Sequence, residues 1–208
     1  MVHVSYGLVS LEEGAMSTRK GNTVWLDDVL NKSCAKALQI INEKNSSLEN
    51  KESVAEAVGS GAVIFSALQN AKIKDVVFSY DKMLNFDGET CPYLQYTHAR
   101  CNSVLAKAPT LNVPVDYSAL DNAESWTLVK LLNSFEETIA TAATKYEPCL
   151  LSKYLIDTAQ AFNKFYFEHR ILTDNANKTV ALLQVVKSTQ KVLKKGLALL
   201  GIATPEKM

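Results

Sequence analysis

The sequence DNAESWTLVKLLNSFEETIATAATK, residues 121–145, places its apolar side chains at intervals of three and four residues. That spacing is typical of a helix with one apolar side, because an α-helix turns once in about 3.6 residues. Two acidic residues, Glu136 and Glu137, lie on a different side of the same helix. The pattern predicts one continuous amphipathic helix, whose apolar stripe consists of Trp126, Val129, Leu132, Phe135 and Ile139.

The segments on both sides of this stretch show the same helical period. Helix starts are predicted near Leu26, near Ser53, at Pro92, at Pro148 and near Ala176. First-turn prolines and the acidic residues after Leu26 favour these starts. The last helix is predicted to end at Leu200, with Gly201 as its C-cap. Gly59 and Gly61 lie inside the second helix, so a neighbouring element is expected to pack closely against it.

Two other segments lack the helical period. HVSYGLV, residues 3–9, is strand-like. IKDVVFSYDKMLNFDGET, residues 73–90, alternates briefly before a turn at Asp87 and Gly88, so it is predicted to be an extended connector. Together these features predict an all-α fold, a helical bundle of five or six helices with a short N-terminal leader.

One shift in composition divides the chain just before Trp25. Residues 1–24 are therefore predicted to be a separate functional piece, and residues 25–208 the helical domain. A chain of 208 residues with 47% hydrophobic content can bury one sizeable core.

Charge, cysteine spacing and the length of apolar runs argue against attraction of nucleic acid by overall charge, against a metal site and against a membrane helix. The 22 basic and 22 acidic residues balance, so no overall field attracts nucleic acid or anionic lipid, and a polyanion must bind at local patches. No metal site is expected, because the four cysteines form no C-x-x-C pair and only three histidines accompany them. No apolar run approaches the ~18 residues of a membrane helix, so no membrane partner is expected. The expected location is the reducing cytoplasm.

The leader contains GAMSTRKG, residues 14–21, which combines hydroxyls, cations and glycines. Its hydroxyl groups, cationic groups and backbone amides can all bind phosphate oxygens. The spacing differs from that of a P-loop, which needs G-x-x-x-x-G-K-[ST]. The residue types alone leave a phosphate-binding loop and a solvated linker both open.

Several blocks of sequence resemble one family of enzymes. MSTRKG, after HVSYGLV and before NTVWLDDVL, resembles the second signature loop of class I aminoacyl-tRNA synthetases in its arginyl form, which usually reads KMSTRKG. Further blocks are similar to arginyl-tRNA synthetase segments in the same order: GSGAVIFSAL, NFDGETCPYLQYTHAR, WTLVKLLNSFEETI, YLIDTAQAFNKFY and LKKGLALLGIATPEKM. The resemblance covers essentially the whole chain and is strongest to bacterial forms.

The resemblance implies that the leader loop helps to bind ATP, with Mg²⁺, in a complete synthetase. The loop residues concerned are Met16, Ser17, Thr18, Arg19 and Lys20. Ala15 stands where the family usually has lysine, so Arg19 and Lys20 would have to carry the phosphate contact. The chain resembles the C-terminal third of such an enzyme, without its catalytic sheet. Alone it is expected to hold no tightly bound cofactor and to form no arginyl-adenylate, because one loop supplies neither an arginine pocket nor an adenosine cradle.

The helical domain is implied to bind the anticodon stem and loop of arginine tRNA. The candidate contacts are residues of types that stack on bases or hold phosphates. They are Tyr93, Gln95, Tyr96, Arg100, Tyr166, Lys187, Lys191, Lys194 and Met208. The resemblance implies that Tyr166 and Met208 help to form a pocket for splayed anticodon bases. The alternatives stay open: the tyrosines as core residues, the lysines (with Lys195) as a solvated face, and Met208 as part of a disordered tail.

Three interpretations of the whole chain follow. The first is the anticodon-binding part of an arginyl-tRNA synthetase, which is an ATP-dependent ligase. Its expected partners are arginine tRNA and the catalytic domain of the enzyme, and DNA is not expected as a partner. The second is a complementing fragment or paralogue that acts through a protein partner without charging tRNA itself. An exposed apolar patch on the helix of residues 93–100 would favour it. The third is an artificial piece of a longer gene, with Met1 as an artificial start.

Overall fold

The structure, a computed structural model, describes residues 2–11, 14–15 and 24–208. These residues contain three short strands, β1 Val9–Leu11, β2 Gly14–Ala15 and β3 Val76–Phe78. They also contain eight helices: α1 Leu26–Lys44, α2 Lys51–Leu68, α3 Tyr80–Met83, α4 Cys91–Ala106, α5 Ala123–Asn133, α6 Phe135–Lys145, α7 Pro148–Glu168 and α8 Ala176–Leu199. The predicted all-α bundle is confirmed. None of the described helices is long and apolar enough to cross a lipid bilayer.

The prediction of one continuous helix over residues 121–145 is wrong, because the chain breaks between α5 and α6. At the break, the Ser134 backbone N–H donates to the Leu131 carbonyl at 3.0 Å and the Ser134 hydroxyl donates to the same oxygen at 2.9 Å. The Tyr154 hydroxyl donates to that oxygen as well, at 2.8 Å. A serine side chain competes with the helix backbone in this way. The described residues therefore form seven long helices, rather than five or six, and the short helix α3.

The other helix boundaries follow the sequence closely. α1 begins at Leu26, and prolines occupy the first turns of α4 and α7 as predicted. α8 ends just before Gly201, whose φ of 76° is left-handed. The start of α2 differs, because this helix begins at Lys51 rather than after a cap at Ser53. The residue before it, Asn50, has a φ of 56°, which asparagine adopts more readily than most residues.

Close packing explains the glycines inside α2. A Cβ atom at Gly59 would lie 2.6 Å from the backbone N and Cα of Cys34 on α1. A Cβ atom at Gly61 would lie 2.9 Å from the Cys91 sulfur on α4. Protein interiors have no room for atoms at such distances. The close approach predicted from the sequence is therefore confirmed.

Three helices, α4, α7 and α8, contribute to both apolar clusters of the bundle. The first cluster joins them to α1 and α2, and its large buried side chains include Phe65, Leu94, Leu155, Leu193 and Leu197. The second cluster joins them to α5 and includes Leu128, Phe162, Phe165 and Leu182. Because α4 is packed in both clusters, its remaining exposed side is held in a fixed position.

A small sheet, of strand order β2-β1-β3, holds the N-terminal residues against the connector. β1 pairs with β3 in parallel, and Val9 lies opposite Val76. The Gly7 N–H donates to the Lys72 carbonyl at 2.7 Å. The predicted extended connector, residues 73–90, is confirmed over β3, but its residues Tyr80–Met83 form the short helix α3. Several apolar side chains along these segments are exposed. We call them the N-terminal apolar surface, which consists of Val2, Val4, Tyr6, Leu8, Val9, Ile73 and Val77.

Candidate functional site

A cleft of about 1390 Å³ runs along the exposed side of α4. Four parts of the chain line it: the α1–α2 loop with the start of α2, the exposed side of α4, the end of α7 with the residues after it, and residues 203–208. Four candidate residues from three of these parts line the cleft: Tyr96, Arg100, Tyr166 and Met208. Residues far apart in the sequence therefore form one surface.

Arg100 lies between two tyrosines on this surface. Its guanidinium carbon is 4.9 Å from the centre of the Tyr96 ring and 5.1 Å from the centre of the Tyr166 ring. Both distances are within the range of cation–π attraction. Tyr96 is still 42% exposed and Tyr166 40% exposed. We call these three residues the tyrosine–arginine cluster.

Asn163 on α7 fixes the orientation of Arg100. Its Oδ1 accepts a hydrogen bond from Arg100 Nη1. Its Nδ2 donates to the Tyr93 and Thr97 hydroxyls, at 2.9 Å each. The side-chain amide thus uses its acceptor oxygen and its two donor hydrogens. Tyr93, a candidate RNA contact, is half-buried in this network and does not line the cleft.

Gln95 departs from the sequence prediction, because its side chain is fully buried. Its Nε2 donates to the Ala57 carbonyl at 3.0 Å and to the Ala203 carbonyl at 2.8 Å. Both donor hydrogens are therefore used by the backbone, and a buried side chain is not accessible to RNA. This corrects the prediction of direct RNA contact: Gln95 attaches residues 203–208, here called the tail, to α4.

Two more side chains of α4 hold the tail. His98 Nδ1 lies 3.2 Å from the Pro205 carbonyl, and Asn102 Nδ2 donates to the Glu206 carbonyl at 3.2 Å. Gln95, His98 and Asn102 are three and four residues apart, so they lie on one side of the helix. Sequence reasoning missed His98 and Asn102 as tail contacts, although polar residues at this spacing were the available signal.

Gln190 on α8 contacts both His98 and Asn102, the two α4 side chains that hold the tail. Its Nε2 lies 3.4 Å from His98 Nε2 and 3.1 Å from Asn102 Oδ1. Burial lowers the pKa of His98, against a smaller opposing effect of the hydrogen bond to the Pro205 carbonyl. The charge of Lys194 lowers the pKa further. The buried ring is therefore held in its neutral form.

The lysines of the predicted basic face lie outside the cleft. Lys187, Lys191, Lys194 and Lys195 are exposed on α8, and the cleft is lined without them. The cleft has charges of its own: the cations Arg100, Lys107, Arg170 and Lys207, and the carboxylates Glu49 and Glu206. Four cations against two carboxylates leave an excess of positive charge. Lys107 and Lys207 were not identified from the sequence, because neither belongs to a regular basic pattern.

A group of charged residues joins the end of α7 to α5 beside the cleft. His169 Nε2 lies 3.0 Å from Glu124 Oε2, and Lys164 Nζ lies 3.3 Å from Glu124 Oε1. The hydrogen bond to His169 is the chief reason that the pKa of Glu124 falls to about 2. Glu124, Glu168 and His169 have the mutual spacing of metal ligands. The Lys164 ammonium also lies 4.0 Å from Glu168, so one cationic side chain already pairs with the carboxylates of Glu124 and Glu168.

Residues 16–20, the predicted ATP-binding loop, lie outside the described residues. They fall within one of two family models that match the chain. The model of the class I (R) tRNA synthetase catalytic domain matches residues 1–80, and the model of the DALR anticodon binding domain matches residues 94–208. The division of the chain at residue 24 stays a prediction.

The whole chain is similar to arginine–tRNA ligases. It is 49% identical over 208 residues to that of Halothermothrix orenii and 44% identical over 209 residues to that of Clostridioides difficile. It spans 37% of the length of each of these relatives and is covered completely by both matches. The solved arginyl-tRNA synthetase of Thermus thermophilus matches with a TM-score of 0.91 and 35% identity, over 99% of this chain and 35% of that one. The chain therefore belongs to the arginyl-tRNA synthetase family and carries its DALR anticodon-binding domain.

Proposed function

We propose that the cleft binds the anticodon stem and loop of arginine tRNA. In this proposal the chain contributes to the ATP-dependent attachment of arginine to tRNA when it is joined to the catalytic domain. One observation carries the proposal: Tyr96, Arg100, Tyr166 and Met208 line a single cleft.

The tyrosine–arginine cluster suits unpaired bases. Proteins that read single-stranded RNA stack bases on aromatic or guanidinium planes and bond to the base edges. The partly exposed rings of Tyr96 and Tyr166 offer such planes. Arg100 has five N–H donors, so donors remain beside the one that Asn163 accepts. Met208 packs partly against the core, and its thioether adds an adaptable apolar surface.

The positive charge of the cleft suits the phosphate backbone of RNA. Lys107, Arg170 and Lys207 line the cleft beside the cluster, where they can contact phosphates of the loop. We assign Lys187, Lys191 and Lys194, which are exposed outside the cleft, to phosphates of the stem. Each such contact releases counterions, so binding should weaken as salt rises.

The same proposal assigns ATP, with Mg²⁺, to residues 16–20 in the complete enzyme. The match of residues 1–80 to the class I (R) catalytic domain supports this assignment. A glycine-rich segment with hydroxyls and cations can hold phosphates through its side chains and backbone amides. The proposal also places this function in the cytoplasm.

Equilibrium binding of the chain to arginine tRNA and to a non-cognate tRNA, each at two salt concentrations, tests the proposal. Selective binding that weakens with salt is the expected result. Equal binding to both tRNAs, or no binding at physiological salt, would contradict the proposal for this chain. A tRNA with an altered anticodon is the sharper control, because it keeps the phosphate backbone and changes only the bases that the cluster would read.

The N-terminal apolar surface favours a second candidate function, that of a complementing fragment. The exposed apolar side chains of this surface do not lie on α4 but on β3 and in the segment before β1, where Val77, Tyr6 and Leu8 are all exposed. Burying such side chains against a partner is favourable. The partner that this proposal names is a nucleotide-binding catalytic domain of the same family.

Mixing the chain with a separate catalytic domain from a family member tests the second candidate. Association in analytical ultracentrifugation, lost in a Tyr6→Ser, Leu8→Ser double variant, is the expected result. A matched double variant in the cleft, Tyr96→Ser, Tyr166→Ser, should associate normally. Association that both double variants leave unchanged would contradict the use of the N-terminal apolar surface.

A further inference from the structure

The tail is held to α4 at three successive places. Gln95 donates to the first tail carbonyl, that of Ala203. Further along the helix, His98 faces the Pro205 carbonyl and Asn102 donates to a third carbonyl. All six tail residues line the cleft. The contacts with α4 therefore fix one side of the cleft.

The donors and acceptors in this arrangement follow from the chemistry of the groups. A carbonyl oxygen only accepts, so the His98 Nδ1 atom that faces Pro205 carries a hydrogen. In a neutral imidazole Nε2 is then the acceptor, and Gln190 Nε2 faces it at 3.4 Å as a donor. The second hydrogen of the same amide is directed at Asn102 Oδ1, at 3.1 Å. Asn102 is thereby turned so that its Nδ2 donates to the Glu206 carbonyl.

We infer that Gln190 is a positioning residue for the cleft: its amide stabilises the His98 tautomer that the Pro205 carbonyl requires and sets the Asn102 orientation, and the two together hold the tail in place for RNA. The inference rests on the proposed function, since RNA binding is the activity that a fixed tail serves. Gln190 is half-buried and does not line the cleft. It acts through its two partners and not by touching RNA.

Protonation of His98 opposes this arrangement. A hydrogen on Nε2 would face the Gln190 amide hydrogen that is directed at the ring and remove its acceptor. The charged groups that act on the ring are Lys194 on α8, which disfavours the imidazolium, and Glu206 in the tail, which favours it. Burial disfavours the imidazolium most. Protonation therefore keeps the Nδ1–H contact with the Pro205 carbonyl but breaks the Gln190 contact that helps to orient Asn102, so the Asn102 part of the tail attachment weakens as the pH falls through the lowered pKa of His98.

Substitution of Gln190 by methionine tests the inference in the 208-residue chain, because methionine has a similar length and no amide. The matched control is Gln160→Met, on the exposed side of α7. The ¹⁵N NMR shifts of the imidazole show which ring nitrogen of His98 carries the hydrogen. In Gln190→Met we expect a mixture of both tautomers and tRNA binding weakened about five- to tenfold. The control should keep the Nδ1–H form and full binding.

A second variant, Gln190→Glu, separates positioning from a general structural role. A carboxylate only accepts hydrogen bonds, so it favours a hydrogen on His98 Nε2 and raises the pKa of His98. It also repels Asn102 Oδ1. We expect the midpoint of the binding–pH curve to move to higher pH. A merely structural loss would reduce binding equally at every pH.

The possible failures are distinguishable. Unchanged tRNA binding and an unchanged His98 tautomer in Gln190→Met would overturn the inference and leave the proposed function intact. If the unsubstituted chain binds no tRNA, the proposed function fails, and with it the role of Gln190 in RNA binding. If Gln190→Met does not fold, Asn102→Leu removes the Glu206 contact together with the acceptor of the second Gln190 hydrogen, and leaves His98 in place. That variant should also bind tRNA more weakly, and full binding would contradict the inference.

Discussion

Tyr166 and Phe167 are neighbours on α7, yet only Tyr166 lines the cleft. Phe167 is 90% exposed, whereas Tyr166 packs on the Arg100 guanidinium. Truncation of Tyr166 to alanine should weaken the binding of arginine tRNA at least about fivefold, because base–aromatic stacking contributes ~1–3 kcal/mol per base and Arg100 loses one of its two rings. Fluorescence titration of labelled tRNA measures the change.

The matched control for that prediction is Phe167→Ala. It removes a ring of nearly the same size from the next position of the same helix, outside the cleft. Binding should stay within about twofold of that of the unsubstituted chain, since an exposed surface substitution typically changes energies by no more than ~0.5 kcal/mol. Equal losses in both variants would mean that tRNA covers the whole end of α7, which would contradict specific binding in the cleft.

Residue types in the sequence predicted part of this site. Tyr96 and Arg100 are predicted because aromatic and cationic side chains are the groups that bind RNA, whereas Tyr166 is predicted from the family resemblance. Asn163 could not be found in this way, because its role depends on Arg100, 63 positions away in the sequence. The burial of Gln95 could not be predicted either, since the sequence does not indicate whether a glutamine amide faces RNA or a tail carbonyl.

The contact between α1 and α2 has no spare volume at Gly59. Replacement of Gly59 by alanine should lower the free energy of unfolding by about 1–3 kcal/mol, because the added methyl group would overlap the Cys34 backbone and force the helices apart. Urea denaturation measures the change. The control is Gly88→Ala, where the nearest atom to a new Cβ is the Thr90 methyl group at 4.0 Å. Similar losses at both positions would contradict the packing argument.

The link between α5 and α7 predicts a dependence of stability on pH. The pKa of Glu124 is lowered to about 2, chiefly by the hydrogen bond to His169, whereas an unfolded glutamate titrates near pH ~4.3. A lowered carboxyl pKa stabilises the fold above the unfolded value, and this stabilisation is lost as the pH falls from about 4.3 to about 2. Replacement of Glu124 by glutamine should therefore flatten the acid side of the stability curve.

Urea denaturation at a series of pH values between about 5 and 2 measures this dependence. The control is Glu136→Gln, which changes an exposed carboxyl group on α6 and should leave the curve unchanged. If Glu124→Gln keeps the full acid dependence of the unsubstituted chain, other carboxyl groups are responsible for it.

Helix starts were easier to predict than helix interruptions. Prolines in the first turns of α4 and α7 act locally, so their effect is visible in the sequence. The break at Ser134 also depends on Tyr154, whose hydroxyl donates to the Leu131 carbonyl from another helix. Trp126 belongs to the predicted apolar stripe, yet it is about half exposed in the structure, because the buried side of α5 contains Ser125 and Leu128 instead.

The chain as a whole spans 37% of the length of its arginine–tRNA ligase relatives. We expect the 208-residue chain to show no arginine-dependent exchange of pyrophosphate into ATP, because that exchange needs a pocket that aligns the arginine carboxylate with the α-phosphate, and the residues that the structure describes are mainly helices, most of them in the anticodon-binding domain. The intact ligase of a family member is the positive control. Exchange by the chain alone, sensitive to substitution of Lys20, would contradict this expectation.

The attachment of the tail along α4 also has an entropic consequence. Fixing the backbone of one residue costs about 1–2 kcal/mol, so ordering six tail residues during RNA binding would cost about 6–12 kcal/mol. The hydrogen bonds from Gln95, His98 and Asn102 move that cost to the folding of the chain. The association rate should then be limited by the diffusion and orientation of the tRNA, and not by the search of a loose segment for its place. In the proposed complex, the tRNA binds a cleft whose C-terminal side is already formed.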